Sequence, residues 1–262
     1  MTPIRLRRAP EAALGYHVLA HLPLRRDAAS LFDAGLPARS WVEPLHRAYA
    51  AAPGRLVVQA LGLRHADGGL DALADDPPAG LRDDAGRRLL ACFLEAVEHE
   101  RPAFMAAWEA DAARAEARRA EVEAVLVEPL AVLRGALWEQ QGPAPPLTVL
   151  DCPALGPCGR GGATPHERRV AVSLAAPVEH LLCQIFHEEV HPVTDPVVRE
   201  GLPEIQDTRA GSAGHAVHAA LEAAAIEVGE AVILARAPRW ADAYARWRAR
   251  FGARAAPVAP RP

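Results

Sequence analysis

An α+β fold, predominantly helical with a small mixed sheet packed on its helices, is what the sequence predicts, on three observations. Apolar residues recur at helical spacing through most of residues 11–141 and again over 212–235. Two short segments between those regions, 147–152 and 168–174, carry the alternation or apolar density of strands. The chain is 262 residues long without an internal repeat, enough for one sizeable core. A single domain over 1–250 is expected, with a helical N-terminal lobe over 9–141 and a second part over 147–236. Residues 251–262, ending Ala256-Pro-Val-Ala-Pro-Arg-Pro262, read as a disordered tail.

Ile4-Arg-Leu6 alternates and suits a short first strand. After Pro10, residues 11–22 are apolar at helical spacing and stop at Pro23. A second helix is expected over 41–51, closed by Pro53-Gly54, and 56–61 fits either a strand or a helix start. The acidic, Gly- and Pro-bearing stretch 67–84 reads as a loop with at most a helical turn. From Ala85, Leu89, Leu90, Phe93, Leu94 and Val97 form a buried stripe, and Phe104, Met105 and Trp108 begin another helix. The Ala/Arg/Glu-rich run 111–123 suits a solvated helix face. Pro129 is expected to kink or restart the helix that continues through Leu130, Leu133 and Leu137 to Trp138. Gly142-Pro-Ala-Pro-Pro146 breaks the chain before the strand 147–152, and 156–162 reads as a Gly-rich turn. In the strand 168–174, Val170, Val172 and Leu174 alternate with Arg169, Ala171 and Ser173, as on a half-buried strand. Pro177 opens the next helix, and the last long one runs over 212–235.

A net charge of −4 and a pI near 6.3 give no electrostatic reason to expect nucleic acid. The cysteines Cys92, Cys152, Cys158 and Cys183 form no CxxC pair and suit reduced, mostly buried thiols. The basic N-terminus has no apolar segment behind it, and no stretch approaches the roughly 20 apolar residues that span a bilayer. A cytoplasmic protein with neither a membrane nor a nucleic-acid partner is expected.

The helix opened by Pro177 carries His187-Glu188-Glu189-Val190-His191, an HExxH pattern. One turn apart, His187 and His191 project from the same face, so two imidazoles can converge on one ion. Glu188 is placed beside the first to take a proton from an attacking water, which points to hydrolysis at one Zn2+ per chain. Pro192 follows at once and disfavours helical backbone at His191, so the helix is expected to end or kink there. A hydrolytic zinc site keeps three protein ligands and one open position. Glu222, Glu227 and Glu230 on the helix 212–235 are the candidates for the third. Taking Val217, Leu221, Ala224, Val228 and Val232 as the apolar stripe, Glu222 lies about 120° from its centre at roughly 100° per residue. Glu227 lies at a similar offset on the other flank, and Glu230 points away from the core. Glu222 is preferred for its neighbours His215 and His218 and the small Ala225 and Gly229, with Glu227 the fallback.

HExxH followed by a glutamate on a second helix resembles the gluzincin arrangement. The third ligand of that clan commonly begins a Glu-x-x-small pattern, which Glu222-Ala-Ala-Ala225 matches, whereas the acidic residue often found one position further on is Ile226 here. The chain looks most like uncharacterised bacterial gluzincin-like families. In these a His-Pro or His-Ser step ends the metal helix and an Asn-Pro follows, compared here with His191-Pro192 and Asp195-Pro196. A strand-to-helix N-terminus and a Gly-rich segment before the metal helix add to the likeness, which is specific over 147–232. It implies a zincin-like fold and a zinc metallopeptidase acting on a peptide or protein substrate, with His187, His191 and Glu222 as ligands and Glu188 as general base. A catalytically silent metal-binding module with a binding or regulatory role is the alternative.

His215, His218 and Tyr244 are candidates for transition-state or second-shell contacts, against ordinary surface or packing roles. Cys183 suits a buried thiol beneath the site and His180 a helix-start residue. His17 and His21, a second i,i+4 pair, suit core-edge histidines, since no carboxylate accompanies them nearby in the sequence. The strand 168–174 could pair with an extended peptide if it forms the sheet edge.

Overall fold

Four short strands frame the computed structural model, which describes residues 3–22, 39–51, 58, 61–163, 167–199 and 211–251. They are β1 (Ile4–Arg8), β2 (Leu147–Asp151), β3 (Gly159–Ala163) and β4 (Arg168–Val172), in the order β1-β2-β4-β3. β1, β2 and β4 run parallel, placing Leu6 beside Val149 and Val149 beside Val170, while β3 pairs antiparallel to β4. The sheet is therefore mixed, as expected, but two details differ from the sequence reading. β4 is an interior strand and the edges are β1 and β3, so the segment 156–162 is more than a turn. Ala171 and Ser173 are buried as well as Val170 and Val172, because helices cover both faces of the sheet.

Eight α-helices are found among the described residues: α1 (Pro10–Leu19), α2 (Val42–Ala50), α3 (Leu61–Asp75), α4 (Asp84–Ala110), α5 (Ala112–Trp138), α6 (Val178–Arg199), α7 (Ala213–Arg236) and α8 (Ala241–Phe251). Against one sheet face, α1, α2, α4 and the buried leucines of α3 form a core that includes Leu150 and Ala171. Against the other, α5, α6, α7 and α8 form a second core with Val149, Val170 and Val172. The split falls at Asp111. α5, expected with the N-terminal helices, packs on α6 and α7. No helix is long and apolar enough to cross a membrane among the described residues.

α1 starts with Pro10 at its first position, where no N–H is needed. α4 starts at Asp83, whose side chain accepts from the Gly86 N–H at 2.7 Å. α3 runs through Gly68 and Gly69, where a loop was expected. At its start α3 approaches α1 so closely that a Cβ on Gly15 would lie 2.8 Å from the Gly62 backbone. α4 is likewise one helix through Pro102, so Phe104, Met105 and Trp108 end it instead of starting another. α5 passes unbroken through Pro129. The roughly 3 kcal/mol cost of an interior proline is offset by Leu126, Leu130 and Leu133, all fully buried and worth about 1.5–3 kcal/mol each. The charged run at the start of α5 is only partly a solvated face, since Arg118 donates to the carbonyls of Leu174 and Ala176 at 2.9 and 2.8 Å. α8, with Tyr244 and Trp247 buried against α6 and α7, had no counterpart in the sequence reading. The segment 56–61, apart from 58 and 61, and the tail beyond 251 lie outside the described residues.

Candidate metal centre

α6 is the central helix of the second core. Leu181, Leu182, Cys183, Ile185, Phe186 and Val190 are all buried, leaving the His187–His191 face directed at α7. On α7 the buried residues are Leu221, Ala225, Gly229 and Ile233. That stripe is rotated by roughly 80° from the expected one, at about 100° per residue. Glu222 then lies only about 40° from its centre. The preference for Glu222 therefore rests on firmer geometry than the sequence offered. Glu227 is exposed, and Glu230 pairs with Arg248.

One ligand atom from each of His187, His191 and Glu222 lies within 4.8 Å of the others. His187 Nε2 is 3.2 Å from His191 Nε2 and 3.1 Å from a Glu222 carboxylate oxygen, and His191 Nε2 is 3.7 Å from the other oxygen. Tetrahedral zinc with bonds of about 2.0–2.1 Å separates neighbouring ligand atoms by about 3.3 Å. The donor set fits in spacing and in kind. Burial alone would raise the pKa of Glu222, but the hydrogen bond with His187 and the fields of His187, His191 and His218 hold it well below the usual carboxylate range. Burial opposes charge on His191, yet the bond to Asp195 and the carboxylates of Glu222 and Glu188 raise its pKa to about 9. Carboxylates and imidazoles thus stabilise each other's charged forms in this pocket.

The surrounding residues fix these groups. His191 Nδ1 lies 3.0 Å from Asp195 Oδ1, one turn on along α6. With its proton on Nδ1 the ring presents Nε2 to the metal position. Asp195 thus fills the supporting role that Ile226 cannot. The His187 ring is held against Trp247 at a centroid distance of 4.9 Å. Both Glu188 oxygens are bound: Oε2 accepts from the Gly161 N–H at 2.8 Å and Oε1 from Gln184 Nε2 at 3.1 Å. Gln184 is in turn held by Trp247 Nε1 at 3.1 Å. The glycines of β3 follow from this close approach. A Cβ on Gly159 would meet Gln184 at 2.7 Å, and one on Gly161 would meet Glu188 at 3.0 Å.

α6 neither ends nor breaks at Pro192, contrary to expectation, but continues through Pro196 to Arg199. Proline leaves the Glu188 carbonyl without its helical N–H donor, and Arg168 Nη2 donates to it instead at 3.2 Å. Arg168 and Arg134 both bind the buried Glu189, at 3.3 and 2.7 Å. Asp195, Gln184, Gly161 and this Glu189 network were missed in the sequence. Asp195 and Gln184 had a readable sign, each one helical turn from the residue it serves. The arginines, distant in the chain, had none.

The other candidates separate. His218 is half-buried, its pKa lowered chiefly by burial, and its Nε2 is 3.7 Å from Glu222. His215 is exposed in the first turn of α7. Tyr244 is buried, and its hydroxyl, kept protonated chiefly by burial, donates to the Ile226 carbonyl at 3.2 Å over Gly229. It packs α8 onto α7, and its hydroxyl is committed away from the ligands. Cys183 is a buried thiol with its pKa pushed up to about 12, chiefly by burial. His180 sits in the first turn of α6, 2.7 Å from the Pro157 carbonyl. His17 does meet a carboxylate, Glu100 of α4, at 3.2 Å. Comparison with known protein families, curated proteins and solved structures found no match to this chain.

Proposed function

We propose that the protein is a zinc-dependent metallopeptidase with the gluzincin ligand arrangement on a zincin-like fold, hydrolysing peptide bonds. The observation that carries this reading is the convergence of His187, His191 and Glu222 at zinc-ligand spacing, with the Glu188 carboxylate near enough to act on His191. When bound, zinc supplies a Lewis acid for a scissile carbonyl and makes water acidic near neutral pH. Glu188 takes the proton of the attacking water and passes it to the leaving amine, general base and then general acid. Gln184 and Gly161 fix the carboxylate for that transfer. His218, beside Glu222 and partly open to solvent, is the group best placed to donate to a developing oxyanion. An extended substrate would pair with β3, the edge strand beside Glu188, in place of the interior β4. Gly161 directs its N–H away from β4 toward Glu188, so the outward groups of that edge border the site.

Glu188→Gln should keep one equivalent of zinc while peptide hydrolysis falls by about 10²-fold or more. Undiminished hydrolysis in that variant rejects the mechanism. One observation favours the second reading, a catalytically silent metal-binding module: both Glu188 oxygens already accept hydrogen bonds. A broad peptide panel without zinc-dependent cleavage by zinc-loaded protein would select it.

A further inference from the structure

We propose that Arg168 is a positioning residue that completes the metal helix at Pro192, standing in for the backbone donor that proline lacks. The proposal rests on the metal-centre reading of His187, His191 and Glu222. In an uninterrupted α-helix the N–H of residue 192 would donate to the carbonyl of residue 188. Proline has no N–H, so the carbonyl left over belongs to Glu188, inside the one turn that must hold His187 and His191 in register. A carbonyl shielded from water without a donor is destabilising.

Arg168 supplies the donor from outside the helix. Its Nη2 reaches the Glu188 carbonyl at 3.2 Å while its Nε reaches Glu189 Oε1 at 3.3 Å. Glu189 is 0% exposed and also accepts from Arg134 Nε at 2.7 Å. Arg134 Nη2 donates onward to the Pro145 carbonyl at 2.5 Å, and the Arg168 main-chain N–H donates to that of Pro146 at 2.8 Å. The main chain of the general base is therefore joined to β4, to α5 and to the start of β2. A planar guanidinium can serve a carboxylate and a carbonyl at once, whereas an ammonium offers no such fork. With alanine at 192 the helix would satisfy its own carbonyl, and the coupling to the sheet would be redundant. Proline thus turns a self-sufficient turn into one whose geometry is set by the sheet.

A double-mutant cycle on the full chain tests this. Arg168→Met, Arg168→Lys, Pro192→Ala and the two double variants are compared by zinc competition titration well below the unfolding temperature, and by thermal unfolding of the metal-free protein. Arg168→Met and Arg168→Lys should each weaken zinc binding about tenfold. Pro192→Ala alone should stay within about twofold of wild type, and in its background the arginine substitutions should also cost only about twofold, because the restored N–H takes over the carbonyl. An equal loss in both backgrounds, or wild-type affinity in Arg168→Lys, overturns the proposal. If Arg168→Met does not fold, the lysine variant carries the cycle. If wild-type protein binds no zinc, the metal-centre reading fails. The linkage is then read from the metal-free unfolding temperatures alone, where non-additivity supports it and additivity rejects it.

Discussion

Two histidine pairs at i,i+4 spacing each meet a glutamate from another helix in this molecule, and they behave differently. His17 and His21 face Glu100, and His187 and His191 face Glu222. Their rings are crossed alike, at 79° and 78°, with centroids 5.9 and 4.7 Å apart. The difference lies in what else reaches the carboxylate. Glu100 accepts from Arg39 Nε at 3.1 Å and Trp41 Nε1 at 3.2 Å as well as facing His17, so its lone pairs are filled by fixed donors. The His21 ring crosses that of Trp41 at 77°, with centroids 4.8 Å apart. Around Glu222 the described partners are imidazoles alone, with their Nε2 atoms converging. Spacing of histidines along a helix is common to both. Only around Glu222 are the described partners imidazoles with both rings turned inward, an arrangement that could hold a cation.

The largest test of that contrast is to remove each glutamate. Glu222→Ala should take bound zinc from one equivalent to none by metal analysis, a loss of at least about 100-fold in affinity. Glu100→Ala should keep one equivalent and lower unfolding stability by roughly 2 kcal/mol. Zinc loss in Glu100→Ala, or retention in Glu222→Ala, would erase the distinction. Next in size, Asp195→Asn frees the His191 ring and should weaken zinc about 10- to 100-fold, with the full change visible by competition titration.

The two clusters should also answer pH differently, since both hold a carboxylate with a lowered pKa but only the His187–His191 cluster holds a histidine with a raised one. In metal-free protein the His191 pKa is raised to about 9. Its contribution to stability is complete below the unfolded value of about 6.5 and is lost as pH rises through about 9. Near the other cluster, burial lowers the pKa values of His17 and His21. Glu100 is lowered too: burial opposes the shift, but the bonds from Trp41, His17 and Arg39 outweigh it. Their contributions are present at neutral pH. The histidine part is lost as pH falls below about 6.5 and the glutamate part as it falls below about 4.5. In denaturant titrations across pH, Glu100→Ala should lose the glutamate part of the acid limb and Asp195→Asn should lose the alkaline limb. The smallest expected effect is that of Glu227→Ala, which should leave zinc affinity unchanged within about twofold.

The convergence of His187, His191 and Glu222 was legible because helical geometry is nearly rigid. His187 and His191 had to share a face, and Glu222 lay close enough to a small-residue stripe to be preferred even with that stripe misplaced. Gly229 explains the misplacement. It counts as no apolar residue in a periodicity search, yet it is buried beneath Tyr244. The strands β1, β2 and β4 were legible for the same reason, since alternation survives burial. The edge strand β3 was hidden because glycine is a poor strand former, and Gly159 and Gly161 are there to admit Gln184 and Glu188. Pro192 misled because a sequence shows the donor that is lost but not the arginine that replaces it. The Glu100 cluster was hidden by distance along the chain.

The parallel pairing of β1 with β2 has a consequence for how the molecule forms. Leu6 must find Val149, a partner roughly 140 residues later in the chain, and separations of that kind slow folding because loop closure precedes any gain from contact. During synthesis the first strand cannot pair with β2 until roughly 140 further residues have been made. The helices α1 and α4 can collapse on each other meanwhile, since both belong to the first core, but they have no finished sheet to rest on. Assembly of the sheet, and of α6 that leans on it, is thereby postponed until β2 and β4 have been made, when both cores close on them together.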